Sequence, residues 1–121
     1  MSEIFVFGSN LAGRHGKGAA LSAKLNHGAK QWQGEGLQGR SYAIPTKDEK
    51  LHTLSLDRIA DHVASFIEFA LSRPDLQFRV TPVGCGLAGY RRDQIRPMFE
   101  GHGPLPRNCF YSPEWDDADQ N

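Results

Sequence analysis

The chain has 121 residues, with 14 basic and 14 acidic side chains and a formal net charge of zero. This length predicts a single domain over residues 1–121, with a core at about 3–111 and a frayed acidic tail at 112–121. The balanced charge argues against general nucleic-acid binding. No apolar run reaches the ~20 residues that span a bilayer, so no membrane partner is expected.

Glu3–Phe7 is an apolar run that predicts a buried strand. Small, helix-compatible residues predict a helix from about Gly16 to Leu25. Residues 30–40 are polar and rich in glycine, which predicts a loop. Ser41–Pro45 predicts a second strand that ends at its proline, and a charged loop over Thr46–Lys50 follows it.

Apolar residues at helical spacing predict a long helix from about Leu56 to Leu71, with Ser55 as its N-cap. Three further elements are predicted: a strand at Phe78–Val83, a short helix at about Asp93–Phe99 and an edge strand at Cys109–Tyr111. Strands that alternate with helices indicate an α/β fold with a mixed, mostly parallel sheet. In such sheets ligands bind beyond the carboxyl ends of the strands.

Two glycine-rich loops, Gly8–Ala20 and Gly84–Tyr90, each follow a predicted strand. Glycine permits positive φ and close ligand approach, and successive N–H groups in such loops bind anions. A helix that begins in the loop adds its positive end. The pair therefore predicts a site that holds a diphosphate from both sides. Its predicted ligand-binding residues are Gly8, Ser9, Asn10, Gly16, Lys17, Gly18, Ala19, Thr46, Gly84, Cys85, Gly86, Leu87, Ala88, Gly89 and Tyr90.

At these loops the sequence resembles the macrodomain family of ADP-ribose binders, in its compact phage or bacterial form that processes ADP-ribose 1″-phosphate. The first shared motif is Val6–Asn10 followed by the glycines up to Gly18, and the second is Thr81–Tyr90. The resemblance implies a three-layer α/β/α fold. It also implies that Asn10 reaches the distal ribose, although an asparagine here can instead brace its own turn. His15 and Lys17 occupy the region where the family has an aspartate.

Four residues are candidates for catalysis: Asn10, His15, Lys47 and Asp48. A histidine in the first loop suits acid–base chemistry near neutral pH, or is simply a surface histidine. Some macrodomain hydrolases use a lysine nucleophile and an acidic residue that resolves the adduct, which the resemblance carries to Lys47 and Asp48. The alternative for this pair is a solvated charged loop. Tyr90 either stacks on a ribose or packs on the sheet.

The cysteines, Cys85 and Cys109, lack metal-binding spacing, so we expect free thiols, no metal, no other cofactor and a reducing, cytoplasmic setting. The expected partner is ADP-ribose or an ADP-ribosylated substrate. The favoured function is hydrolysis at the distal ribose, either de-ADP-ribosylation or removal of phosphate from ADP-ribose 1″-phosphate. Two alternatives remain: a non-catalytic ADP-ribose reader, and a Rossmann-like nucleotide-binding module. The sequence leaves the oligomeric state open.

Overall fold

The computed structural model describes residues 3–101 and 103–116. Each regular element takes its label in chain order. The strands are β1 (Glu3–Asn10), β2 (Gly36–Gln38), β3 (Ser41–Lys47), β4 (Gln77–Val80) and β5 (Cys109–Tyr111). The helices are α1 (Gly18–Asn26), α2 (Leu56–Ser72) and α3 (Arg92–Ile95), with 3₁₀ turns at Arg96–Glu100 and Pro113–Asp116.

The five strands form one sheet in the order β2-β3-β1-β4-β5. β1 lies at the centre and pairs in parallel with β3 and with β4, and β5 continues this parallel arrangement at one edge. Of the five described strands, only β2 runs antiparallel, against β3 at the other edge. The predicted α/β class with a mostly parallel sheet is therefore confirmed. No described helix is both long and apolar enough to cross a bilayer.

Alternate side chains of β1 supply two hydrophobic clusters on opposite faces of the sheet. Ile4 and Val6 join the larger cluster, which includes the buried face of α2. Phe7 joins the smaller cluster with Ala20 and Ala23 of α1. The alternation explains how the central strand carries packing on both sides. It also fixes α1 and α2 on opposite faces.

The long helix agrees with its sequence pattern. α2 spans Leu56–Ser72, and Ser55 caps it by accepting a hydrogen bond from the Arg58 N–H at 3.3 Å. Its apolar residues recur every three or four positions, which gives a single buried face. The predicted helix and its N-cap are both confirmed.

The prediction of a loop over residues 30–40 is wrong in part, because Gly36–Gln38 forms β2. β3 also continues past Pro45 to Lys47. β2 pairs only with Ser41–Ala43, so Pro45 needs no N–H on that side of β3. β2 is only three residues long, so it shows little pattern in the sequence. It also does not extend along the carboxyl end of β3.

β1 runs to Asn10 rather than ending at Phe7, and β4 ends at Val80 rather than Val83. The short second-half helix is split between α3 and the 3₁₀ turn that holds Pro97. The prediction of a frayed tail is wrong for residues 112–116, because Trp115 is 4% exposed and belongs to the core. The rest of that tail, 117–121, lies outside the described residues.

Candidate functional site

A cleft of about 690 Å³ opens at the carboxyl ends of β1, β3 and β4. Both glycine-rich loops border it, together with the end of β3. The predicted residues that line it are Gly8, Ser9, Asn10, Gly16, Lys17, Gly18, Ala19, Thr46, Lys47, Gly84, Gly86, Leu87 and Ala88. Segments that are far apart in sequence thus meet at one site.

The first loop is shaped by the side-chain amide of Asn10. Its Oδ1 accepts from the Arg14 N–H at 2.9 Å, and its Nδ2 donates to the Arg14 carbonyl at 2.8 Å. After this closed turn the chain enters α1, whose first residue, Gly18, has φ of +58°. No side chain caps α1, and the N–H groups of Gly18, Ala19 and Ala20 have no acceptor among the described residues. The cleft therefore faces an uncapped helix N-terminus.

The second loop presents backbone donors from the other side. Gly84, at φ of +75°, begins the turn, and the Tyr90 N–H closes it by donating to the Gly84 carbonyl at 2.9 Å. Between them, the N–H groups of Gly86, Leu87 and Ala88 donate to no described acceptor. Unpaired N–H groups in such a turn favour an anion.

The two loops come close to each other. A Cβ added at Gly18 would lie 3.3 Å from Cδ1 of Leu87, which reaches across from the second loop. A Cβ at Gly8 would lie 3.3 Å from the Gly84 nitrogen. Any larger residue at Gly8 would press the end of β1 against the second loop. The close packing of the two loops keeps their unpaired N–H groups on the borders of the same cleft.

The charge of the cleft differs from that of the whole chain. Arg14, Lys17 and Lys47 line it, and no aspartate or glutamate does so among the described residues. None of the three forms an ion pair with another described residue. A chain of zero net charge thus has a locally positive cleft, which favours an anionic ligand.

His15 does not line the cleft. Its side chain is fully buried, with the ring edge-on to Phe7 at 5.4 Å between centroids. Nε2 lies 3.0 Å from the Gln33 carbonyl and 3.2 Å from Oε1 of Gln38. Both neighbours are acceptors, so Nε2 carries the proton. The histidine supports the first loop from inside the protein.

Asp48, Cys85, Gly89 and Tyr90 also lie outside the lining. The Asp48 carboxylate accepts from the N–H groups of Lys50 and His52, each at 2.9 Å. Burial raises the pKa of the Cys85 thiol to about 11, so it is protonated at neutral pH. Tyr90 Oη donates to the Leu54 carbonyl at 2.7 Å, which is a packing role.

Sequence reasoning missed several lining residues: Arg14, Ala20, Leu51, Thr81, Pro82 and Val83. Thr81–Val83 follows the end of β4 directly, but the sequence predicts a strand that runs to Val83 and so places these residues within the strand rather than at the ligand-binding edge. No sequence pattern predicts that Leu51 lines the cleft, because its position depends on the turn in which it lies. Within the part of the chain that the structure describes, no three His, Cys, Asp or Glu residues are grouped to hold a metal ion.

No known protein family and no curated protein matches this chain. Two solved structures, both of proteins from Bacteroides thetaiotaomicron, share its fold. One, described as a protein of unknown function, has a TM-score of 0.59 and 16% identity over 84% of this chain and 81% of its own. The other has a TM-score of 0.54 and 18% identity over 84% and 82% of the two chains. At these identities the likeness concerns the fold alone.

Proposed function

We propose that this domain binds ADP-ribose or a closely related nucleotide diphosphate in the cleft. One observation carries the proposal: residues with unpaired backbone N–H groups from both glycine-rich loops line the same cleft. Backbone donors at a helix N-terminus and in a glycine turn are a common solution for phosphate binding. A ligand with two linked phosphates would engage both sets at once.

The position and size of the cleft support the same ligand class. Strand order reverses around β1, which has β3 on one side and β4 on the other, and nucleotides bind at such points. The volume of about 690 Å³ falls in the range of small-molecule sites, roughly 300–1,000 Å³. Helices on both faces of the sheet agree with the macrodomain-like α/β/α layering that we propose for the fold. The unpaired cysteines favour a reducing, cytoplasmic setting.

The first form of the proposal is an enzyme that hydrolyses the bond at the distal ribose. Water would replace either a protein side chain or a phosphate at the anomeric carbon. Of the four candidate catalytic residues, Asn10 and Lys47 line the cleft. The amide of Asn10 is engaged with the Arg14 backbone, so Lys47 is the candidate that can contact the reacting ribose.

The second form is a reader that binds ADP-ribose without turning it over. The placement of the acid–base candidates favours it, because His15 is buried beneath the first loop and Asp48 holds a turn. A site that only binds needs the N–H groups and cations of the cleft and no proton-transferring group. Activity assays separate the two forms.

Isothermal titration with ADP-ribose tests the binding site. Gly86 has a negative φ and open space around its Cα, so Gly86→Glu should fold and place a carboxylate among the donors. We expect it to weaken ADP-ribose binding by at least ~100-fold through like-charge repulsion. Gly101→Glu makes the same change outside the cleft lining and should leave the affinity unchanged. Equal affinities for both variants and the wild type would refute the proposed site.

Comparison ligands and turnover assays then separate the alternatives. AMP, NAD and ADP-ribose 1″-phosphate complete the titration, and equal binding of NAD would favour a Rossmann-like module. An enzyme would release phosphate from ADP-ribose 1″-phosphate, or ADP-ribose from a modified protein, and Lys47→Ala would reduce that rate. A protein that binds ADP-ribose and turns over neither substrate is a reader.

A further inference from the structure

Leu51 is an apolar side chain that lines the cleft although it is 44% exposed. Its backbone has φ of +67°, a conformation that is common for glycine but that L-residues other than asparagine and aspartate seldom adopt. A leucine held in this way needs neighbours that fix the turn, and strained residues of this kind cluster at ligand sites.

The carboxylate of Asp48 fixes that turn. One of its oxygens accepts from the N–H groups of both Lys50 and His52 at 2.9 Å. The backbone closes the same turn, because the Asp48 N–H donates to the His52 carbonyl at 2.8 Å and the Leu51 N–H to the Asp48 carbonyl at 3.1 Å. The His52 N–H, followed by that of Lys50, holds the pKa of Asp48 below its usual value. We call residues 48–52 the Asp48 turn.

Residues just beyond the Asp48 turn fasten it to the second glycine-rich loop. Thr53 bridges to Lys47 and donates from Oγ1 to the Ala88 carbonyl at 3.1 Å. The Tyr90 hydroxyl reaches the Leu54 carbonyl at 2.7 Å. These bonds hold the Asp48 turn against the second loop, so the cleft is lined both by Leu51 and by Leu87, which is 64% exposed.

We propose that Leu51 and Leu87 form an apolar wall that contacts an uncharged ring of the ligand, the base or the ribose next to the diphosphate. In this arrangement Asp48 is a positioning residue that aims Leu51. The inference rests on the proposed function and adds a specificity element to it. The N–H groups and cations of the cleft satisfy phosphates, whereas exposed leucines gain only by covering an apolar face of the ligand.

Titration with ADP-ribose, ADP and inorganic pyrophosphate tests the wall. Asparagine accepts positive φ, so Leu51→Asn keeps the turn and removes the apolar contact. We expect a roughly tenfold loss of ADP-ribose affinity and a change within about twofold for pyrophosphate. A similar loss for ADP would place the wall at the adenosine, and a loss for ADP-ribose alone would place it at the distal ribose. Leu71→Asn, at an exposed leucine of α2 outside the cleft lining, is the control.

Three outcomes would overturn the inference. Equal losses for ADP-ribose and pyrophosphate would mean that Leu51 shapes the phosphate site, and no loss for any ligand would mean that it touches none. If the wild-type protein bound pyrophosphate and no nucleotide, the cleft would be an anion site without a ring-binding wall. If the wild-type protein bound none of the three, the proposed function itself would fail.

A pair of Asp48 variants separates positioning from proton transfer. Asp48→Asn keeps the oxygen that accepts from Lys50 and His52, so we expect ADP-ribose affinity within about twofold of wild type. Asp48→Ala removes that oxygen and should cost roughly tenfold, without adding to the loss in Leu51→Asn. If Asp48→Asn kept its affinity but lost turnover, Asp48 would also act on protons, whereas wild-type affinity in Asp48→Ala would refute the positioning role.

Discussion

The side chain of His15 is enclosed beneath the first glycine-rich loop, where it joins three segments of the chain. Its ring packs on Phe7 of β1, and Nε2 donates toward the carbonyl of Gln33 and the side chain of Gln38. Oε1 of Gln38 also accepts from the Lys30 N–H at 2.8 Å. The histidine is thus the centre of a buried polar network rather than a group in contact with a ligand.

We predict that His15→Ala destabilises the protein by about 2–4 kcal/mol, because it leaves a cavity at a fully buried side chain and removes one of the donors to the Gln33 carbonyl and to Oε1 of Gln38. Urea denaturation of the variant measures this directly. His52→Ala, at a side chain that is 76% exposed, should change the unfolding free energy far less. If His15→Ala left the unfolding free energy unchanged but abolished ligand binding, His15 would have a role in the ligand site rather than a structural one.

The role of such residues was hard to predict from sequence. A histidine between Arg14 and Gly16 has the same neighbours along the chain whether its ring faces a ligand or the interior. The partners that decide its role, Gln33 and Gln38, come from a segment whose pattern predicts a loop. The glycines of the cleft were easier to place, because backbone donors depend on the loop and on the strand that precedes it.

The segment 32–34 lies across the end of β1 and braces the first loop from outside. The Trp32 N–H donates to the Gly13 carbonyl at 2.7 Å, and the Ser9 hydroxyl donates to the Gly34 carbonyl. A Cβ added at Gly34 would lie 2.2 Å from the Asn10 carbonyl oxygen. Glycine is therefore required here by close backbone contact.

We predict that Gly34→Ala displaces this segment, lowers the unfolding free energy by about 1–3 kcal/mol and weakens ADP-ribose binding through the shifted Asn10 turn. Thermal unfolding and titration of the same sample measure both effects. Gly101→Ala, whose added Cβ would meet only ordinary contacts at 3.8 Å, is the matched control. Full stability of Gly34→Ala would show that the segment can move away from β1.

Elements with strong patterns were predictable, and those that depend on a neighbour were not. α2 carries an apolar face and a serine cap within its own sequence. β2 has three residues and begins at Gly36, so it has no alternation to detect and exists because β3 lies beside it. Leu51 likewise has no local signal, because its place in the cleft comes from the Asp48 turn.

At the scale of the whole molecule, the last described residues complete the core. Trp115 donates from Nε1 to the Val80 carbonyl at 2.7 Å and packs edge-on against Tyr111 and Phe99. The acidic residues around it conceal this role in the sequence. The buried core therefore reaches beyond Tyr111, the limit that the sequence predicts.

We predict that Trp115→Ala costs about 3–5 kcal/mol of stability, the usual range for a buried aromatic side chain, and lowers the melting temperature accordingly. Phe110→Ala, at a neighbouring aromatic residue that is 37% exposed, should cost less. Differential scanning calorimetry compares the two. Equal losses would mean that the packing of Trp115 contributes no more than a surface ring.

The central place of β1 has a consequence for how the protein comes to be folded. β1 precedes α2 in the chain, whereas its partner β4, whose Phe78 pairs with Ile4, follows α2 and is therefore synthesised later. Contacts between distant parts of a chain form slowly, because closing a long loop costs conformational entropy before the contacts stabilise it. A nascent chain that has reached only α2 already carries the uncapped end of α1, but the opposing donors of Gly86–Ala88 do not yet exist. The two sets of donors that border the cleft therefore come together only late in synthesis, when the second loop folds against the first.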